Sequence, residues 1–223
     1  MNNMSLPLES NLEDHITPRR LPLALKLGFT AFMAVLVPVY WANYGPTNFL
    51  YFCDVALFLT LIAVWKESAI LASMAAVGIV LPQMIWVLDF AAGLVGVKLL
   101  GMTAYMFDGQ RSLFLRGLSL FHGWLPFLLI FLVKRLGYDK RALPAWWALA
   151  WALIVFCYCF MPGPTANPGT TPVNINYVHG MSDTAAQTWM PPLAWLAALM
   201  AGLPAILYWP THRWLRHRFG QRN

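Results

Sequence analysis

Three apolar stretches carry ionisable or hydroxyl-bearing side chains at helical spacing. Thr47, Tyr51 and Asp54 are separated by four and three residues, so on a helix they share one face. Ser112, Arg116 and Ser119 repeat that spacing, with His122 one further step of three along. Gln83, Trp86 and Asp89 recur at threes just after Pro82, whose ring removes a helical hydrogen bond. Ionisable groups inside apolar segments are costly, and they mark function by default.

Three kinds of chemistry fit these residues. His122 suits general base catalysis, because imidazole titrates near neutral pH. Its nucleophile would be Thr47, Cys53 or Ser119, with Asp54 or Asp89 orienting the ring. Alternatively Asp54, Asp89 and His122, with His179, would hold a divalent metal, although no HxxxH or ExxH spacing supports it. A third option is a proton or solute relay through the same acids and histidine. A purely structural reading competes with all three: Asp54 and Arg116 as a buried ion pair, Asp89 at an interface, His122 bonded to a carbonyl or to Tyr51.

The elements that must position these groups are membrane helices. The 223 residues are 59% hydrophobic, with a mean hydropathy of +0.57. Only 11% are charged, against about a quarter in soluble domains, too few to cover a soluble surface. Six segments are long enough for a bilayer core: Leu21–Trp41, Thr47–Trp65, Ser68–Phe90, Ser112–Leu136, Leu143–Met161 and Pro191–Trp209. The expected architecture is therefore an all-α polytopic bundle of six transmembrane helices. Its domain spans 21–209, after an amino-terminal segment 1–20 and before a basic tail 210–223.

Charge sets the expected orientation. Twelve lysines and arginines fall on one side of such a bundle and three, Lys98, Arg111 and Arg116, on the other. The positive-inside rule then places both termini in the cytoplasm. Segment 1–20 lacks the pattern of a secretory signal, so the first apolar run reads as a retained helix. The net charge of +6 is clustered beside apolar segments, which argues for contact with anionic lipid at the cytoplasmic face rather than nucleic acid. Cys53, Cys157 and Cys159 read as small buried residues, not disulfides. The long segments 91–111 and 162–190 lie outside, the second broken by Pro162, Pro164, Pro168 and Pro172. A loop that long is a lid or is unstructured, and its Asn174 and Asn176 read as turn formers.

At 1.5 Å per residue, Asp54 lies about 10 Å and His122 about 15 Å below the outer edge. All the intramembrane ionisable residues other than end-flanking lysines thus fall in the outer half. Helices two, three and four are expected to enclose a polar cavity open to the outside.

Two resemblances bear on this reading. The run Asn43-Tyr44-Gly45-Pro46-Thr47-Asn48-Phe49-Leu50, Asp54, the corner Trp65-Lys66-Glu67-Ser68 and Gly137-Tyr138-Asp139-Lys140-Arg141-Ala142-Leu143-Pro144 look like a bacterial family of uncharacterised integral membrane proteins. That resemblance implies no activity; it is consistent with a bacterial inner membrane. More distantly, Leu120-Phe121-His122-Gly123-Trp124-Leu125-Pro126-Phe127 is similar to the active-site helix of the androgen-induced-protein family, six-helix membrane hydrolases of fatty-acid esters. They use a threonine nucleophile on an earlier helix, and a related acyltransferase group uses cysteine. The resemblance implies that His122 matches the histidine and that Thr47 or Cys53 supplies the nucleophile, on a lipid-like substrate. Cofactor and oligomeric state stay open.

Overall fold

A computed structural model describes residues 21–220. Among them the secondary structure is entirely helical: α1 (Leu23–Tyr44), α2 (Phe52–Lys66), α3 (Ala69–Leu94), α4 (Leu113–Ser119), α5 (Phe121–Leu136), α6 (Ala142–Phe160), α7 (Pro192–Leu203) and α8 (Trp209–Phe219). Five helical stretches are long and apolar enough to cross a membrane. They are α1, α3, the nearly continuous α4–α5 pair, α6, and α7 joined to α8. The all-helical architecture expected from composition is therefore present, with five stretches of spanning length and hydropathy where six were expected. Segment 1–20, with Arg19 and Arg20, and Arg222 lie outside the described residues.

The fold has two unlike ends. At the basic end, Lys26 Nζ lies 2.6 Å from Glu67 Oε1, tying the start of α1 to the corner after α2. That corner turns tightly because Glu67 adopts the left-handed conformation, φ 50°, and Ser68 Oγ then caps α3 by accepting from the Leu71 amide. On the same end Ser73 Oγ accepts from the Asp139 amide, and the Tyr138 hydroxyl meets His212 Nδ1 at 2.6 Å. Between these contacts lies a dry core of wholly buried Leu57, Ala75, Ala76, Leu129, Leu132, Trp146 and Leu215. α3 runs through its centre on small residues. Gly78 is required there, because a Cβ at that position would overlap the Trp146 indole. The other end carries the long connections 95–112 and 161–191.

Several boundaries depart from expectation. The last helix does not stop at Trp209. It passes through a π-turn at Pro204–Tyr208 and continues to Phe219, because the wider turn absorbs the proline that lacks a donor. Thr211, His212 and Leu215 of this supposed tail are buried, so most of 210–223 is a docked helix. The Ser112–Leu136 span is broken at Leu120, and the Thr47–Trp65 span starts as a 3₁₀ turn, Pro46–Leu50, before α2 begins. Each break lies beside a predicted site residue.

Candidate functional site

The break before α2 is made by Tyr51, whose extended backbone (φ −63°, ψ 140°) separates the 3₁₀ turn from the helix. It strands the Leu50 carbonyl and the Phe52 amide. Asn176, from the loop 161–191, satisfies both: its Nδ2 donates to Leu50 O at 2.9 Å, and its Oδ1 accepts from Phe52 N at 3.1 Å. Asn176 reaches this position in the left-handed region, φ 59°, between Asn174 at 49° and Tyr177 at 61°. Asn174 holds the turn together by donating to Gly180 O and Ser182 O and accepting from the His179 amide. Such clustered left-handed residues persist only where surrounding contacts over-determine them. Here Ile175 and Val178 are buried against Leu50, Tyr51 and Phe52.

The break between α4 and α5 serves His122. Gly123 N donates to Leu120 O, three residues back, which releases the Ser119 carbonyl. His122 Nδ1 lies 2.8 Å from that carbonyl. A carbonyl only accepts, so Nδ1 carries the proton and Nε2 keeps its lone pair. The ring stacks on Trp86 with centroids 4.9 Å apart. Neither aspartate orients it.

At the same end of the bundle lies an enclosed group of polar side chains. Ser119 Oγ is 2.9 Å from the Tyr40 hydroxyl, and the Tyr105 hydroxyl lies beside both Ser119 and the Trp86 indole. Asp54 is 3% exposed; its Oδ2 accepts from Asn48 Nδ2 at 3.4 Å and from Cys53 Sγ at 3.7 Å. Among the described residues, Asp54 Oδ1, Thr47 Oγ1, Trp86 Nε1 and both ends of Gln83 are enclosed without a hydrogen-bond partner. Enclosed polar atoms are almost always satisfied; five of the nine unpartnered ones among the described residues belong to this group, the others being Arg116 Nε, Arg135 Nε, Trp146 Nε1 and the Tyr208 hydroxyl.

The expected open cavity is instead closed. Asp54, Gln83 and Ser119 are buried, because both long connections fold back over them. Asp89 anchors the first of these. Its Oδ1 accepts from the Leu100 and Gly101 amides, and its Oδ2 from the Thr103 amide and hydroxyl, at 2.7 to 3.2 Å. Arg116 donates to Met106 O at 3.1 Å and makes no ion pair with Asp54. The Asp54–Arg116 pair weighed from sequence is therefore not formed. Nor are Asp54, Asp89, His122 and His179 gathered as a metal site: among the described residues no three His, Cys, Asp or Glu side chains come together for one. Tyr105 and Asn176 were not among the expected site residues. Two asparagines flanking isoleucine in a proline-rich loop were the available signal, since asparagine tolerates the left-handed region.

The second connection carries two opposed titrations. Burial lowers the His179 pKa and raises that of Asp183. The folded loop binds the His179 proton less readily than the unfolded chain does, so this contribution weakens as pH falls below about 6.5. Asp183 acts oppositely, since its folded form holds the proton and loses stability as pH rises through the carboxylate range. In Asp183→Asn only the histidine effect remains. Amide exchange in 174–180, corrected for intrinsic rates, is then expected to be faster at pH 5 than at pH 7; equal protection at both would contradict it.

No family model, curated protein or solved structure matches this chain.

Proposed function

We propose that the chain crosses a bacterial inner membrane six times with both termini cytoplasmic, and that its outer polar group hydrolyses or transfers the acyl group of a lipid-like ester. The sixth crossing is α2 with its 3₁₀ turn. α2 alone has 15 residues, about 22 Å, yet it returns antiparallel along α1 from the Trp41–Phe49 contact to the Lys26–Glu67 pair. Orientation rests on the twelve-to-three distribution of basic residues.

The observation that carries the chemical reading is the state of His122. Its Nδ1–H is fixed by a carbonyl and its Nε2 lone pair is free, on the half of the bundle where Thr47 Oγ1 and Asp54 Oδ1 also lack partners. In an acyl transfer Nε2 takes the hydroxyl proton as Thr47 attacks the ester carbonyl, then gives it to the departing alcohol. Water, deprotonated by the same nitrogen, releases the acid. Cys53, beside Asp54, is the alternative nucleophile. The closed roof of Tyr105 and the 175–177 turn must lift first. The resemblance of the Leu120–Phe127 run to a hydrolase helix leads to the same chemistry.

A transporter is the second reading, favoured by the unpartnered Gln83 amide and Asp54 Oδ1, which a polar cargo would satisfy. The dry core below them leaves such a cargo no onward path without rearrangement.

The test uses purified protein in vesicles with p-nitrophenyl acyl esters and a fluorophosphonate probe read by intact mass. His122→Asn keeps a donor for the Ser119 carbonyl but removes the base. It is expected to lower turnover at least about 100-fold with little change in thermal stability. Wild-type turnover in His122→Asn, or an inert wild type, would overturn the hydrolase reading; solute flux without ester turnover would establish the transporter.

A further inference from the structure

Beside the enclosed polar group, and sharing none of its side chains, a groove of about 360 Å³ runs along the outside of the loop end. Its walls are Phe90 and Leu94 of α3, Phe107 of the first connection, Leu113 of α4 and Leu120 just after it, with Arg116 set among them. Leu94, Leu113 and Leu120 are exposed, as residues facing acyl chains should be. The floor is formed by close approach: Phe107 stacks on Phe90 at 5.6 Å, and a Cβ on Gly93 would stand 2.5 Å from the Phe107 ring.

The charge in this groove is uncompensated. Arg116 has no carboxylate within ion-pair distance among the described residues, its one hydrogen bond goes to the Met106 carbonyl, and its enclosed Nε has no partner. A guanidinium is always charged and matches phosphate oxygens as a fork. Apolar walls with one convergent cation describe a site for an amphiphile. The position of Arg116, one turn after the Ser112 cap of α4, puts it at headgroup level.

We propose that this groove binds one outer-leaflet phospholipid, with an acyl chain along Leu94, Leu113 and Leu120 and the headgroup phosphate on the Arg116 guanidinium. The lipid supplies the anion that the fold withholds from Arg116. Phe107, Met106 and Arg116 all belong to this contact, so an occupied groove also presses the first connection, which carries Tyr105, onto the bundle. Binding needs no turnover, so this inference and the acyl-transfer reading stand or fall separately.

Native mass spectrometry of the full chain in dodecyl maltoside, titrated with palmitoyl-oleoyl phosphatidylglycerol, tests it. The wild type is expected to retain one lipid at least tenfold more tightly than Arg116→Gln. Gly117 lines the groove, and a Cβ there meets nothing within 4 Å. Gly117→Leu should therefore fold normally, fill the groove and lose the same lipid with Arg116 intact. Glycerol phosphate, the headgroup alone, should not compete, whereas equal binding of it would mean a phosphate site without a chain. Diacylglycerol should bind wild type and Arg116→Gln alike. Lipid retention unchanged in Gly117→Leu, or competition by glycerol phosphate at equal concentration, overturns the proposal.

Discussion

Asp89→Ala is expected to release the 95–107 connection while leaving the helical bundle folded. The carboxylate accepts four hydrogen bonds, from the Leu100, Gly101 and Thr103 amides and the Thr103 hydroxyl. Bonds to a charged acceptor contribute about 1.5–3 kcal/mol each when the partner stays enclosed. Only Thr103 is enclosed, at 3% exposure; the Leu100 and Gly101 amides regain water once the loop opens. The local cost is therefore on the order of 4 kcal/mol rather than the full sum. In hydrogen exchange this corresponds to roughly a thousandfold loss of protection at Leu100, Gly101 and Thr103.

The bundle should keep its thermal transition within a few degrees, because the apolar core at the basic end owes nothing to this loop. Asp89→Asn is expected to fall between. It keeps an oxygen for Leu100 and Gly101 but sets an amide donor against the Thr103 donor. Protection at Thr103 equal to wild type in Asp89→Ala would show that the loop is held by Arg116 and by Phe107 packing instead.

That result separates what the sequence could express from what it could not. Membrane character was legible from 11% charge and six long apolar runs, because hydrocarbon excludes charge over whole segments. The confinement of Asp54, Asp89, Arg116 and His122 to one end was legible for the same reason: depth follows from counting residues along a helix. Partner choice was not. Asp89 and Arg116 lie at the same end of the bundle as Asp54 and His122, yet both bind backbone of the 95–107 connection. A loop's path is set by tertiary contacts, and the periodicity of flanking helices holds no information about it. The helix breaks at Tyr51 and Leu120 were illegible too. Neither residue is a glycine or proline; the first break is stabilised from elsewhere, by Asn176, and the second locally, by His122 bonding the carbonyl three residues before it. A break compensated by a remote side chain, as at Tyr51, leaves no local signature.

Asn176→Ala should be the most damaging change in the second connection, and it tests whether the break before α2 depends on that loop. The substitution leaves the Leu50 carbonyl and the Phe52 amide without partners, at about 1–3 kcal/mol for each enclosed group. It also puts alanine at φ 59°, where it keeps the Cβ penalty that asparagine bears but lacks the polar side chain that lets asparagine tolerate it. Asn176→Gly separates the two effects, since it loses the same hydrogen bonds but accepts the backbone angle; it should be about 1 kcal/mol less destabilised than Asn176→Ala. Cys53, one residue past Phe52 and half-buried, reports the outcome. With the 175–177 turn detached, its maleimide labelling, mapped by peptide mass to exclude exposed Cys159, should accelerate about a hundredfold or more. Because Asp54 follows directly in the chain, the same detachment should open the enclosed polar group to water. Labelling of Cys53 at the wild-type rate in Asn176→Ala would mean that α2 holds its start unaided, and that the second loop covers the site without shaping it.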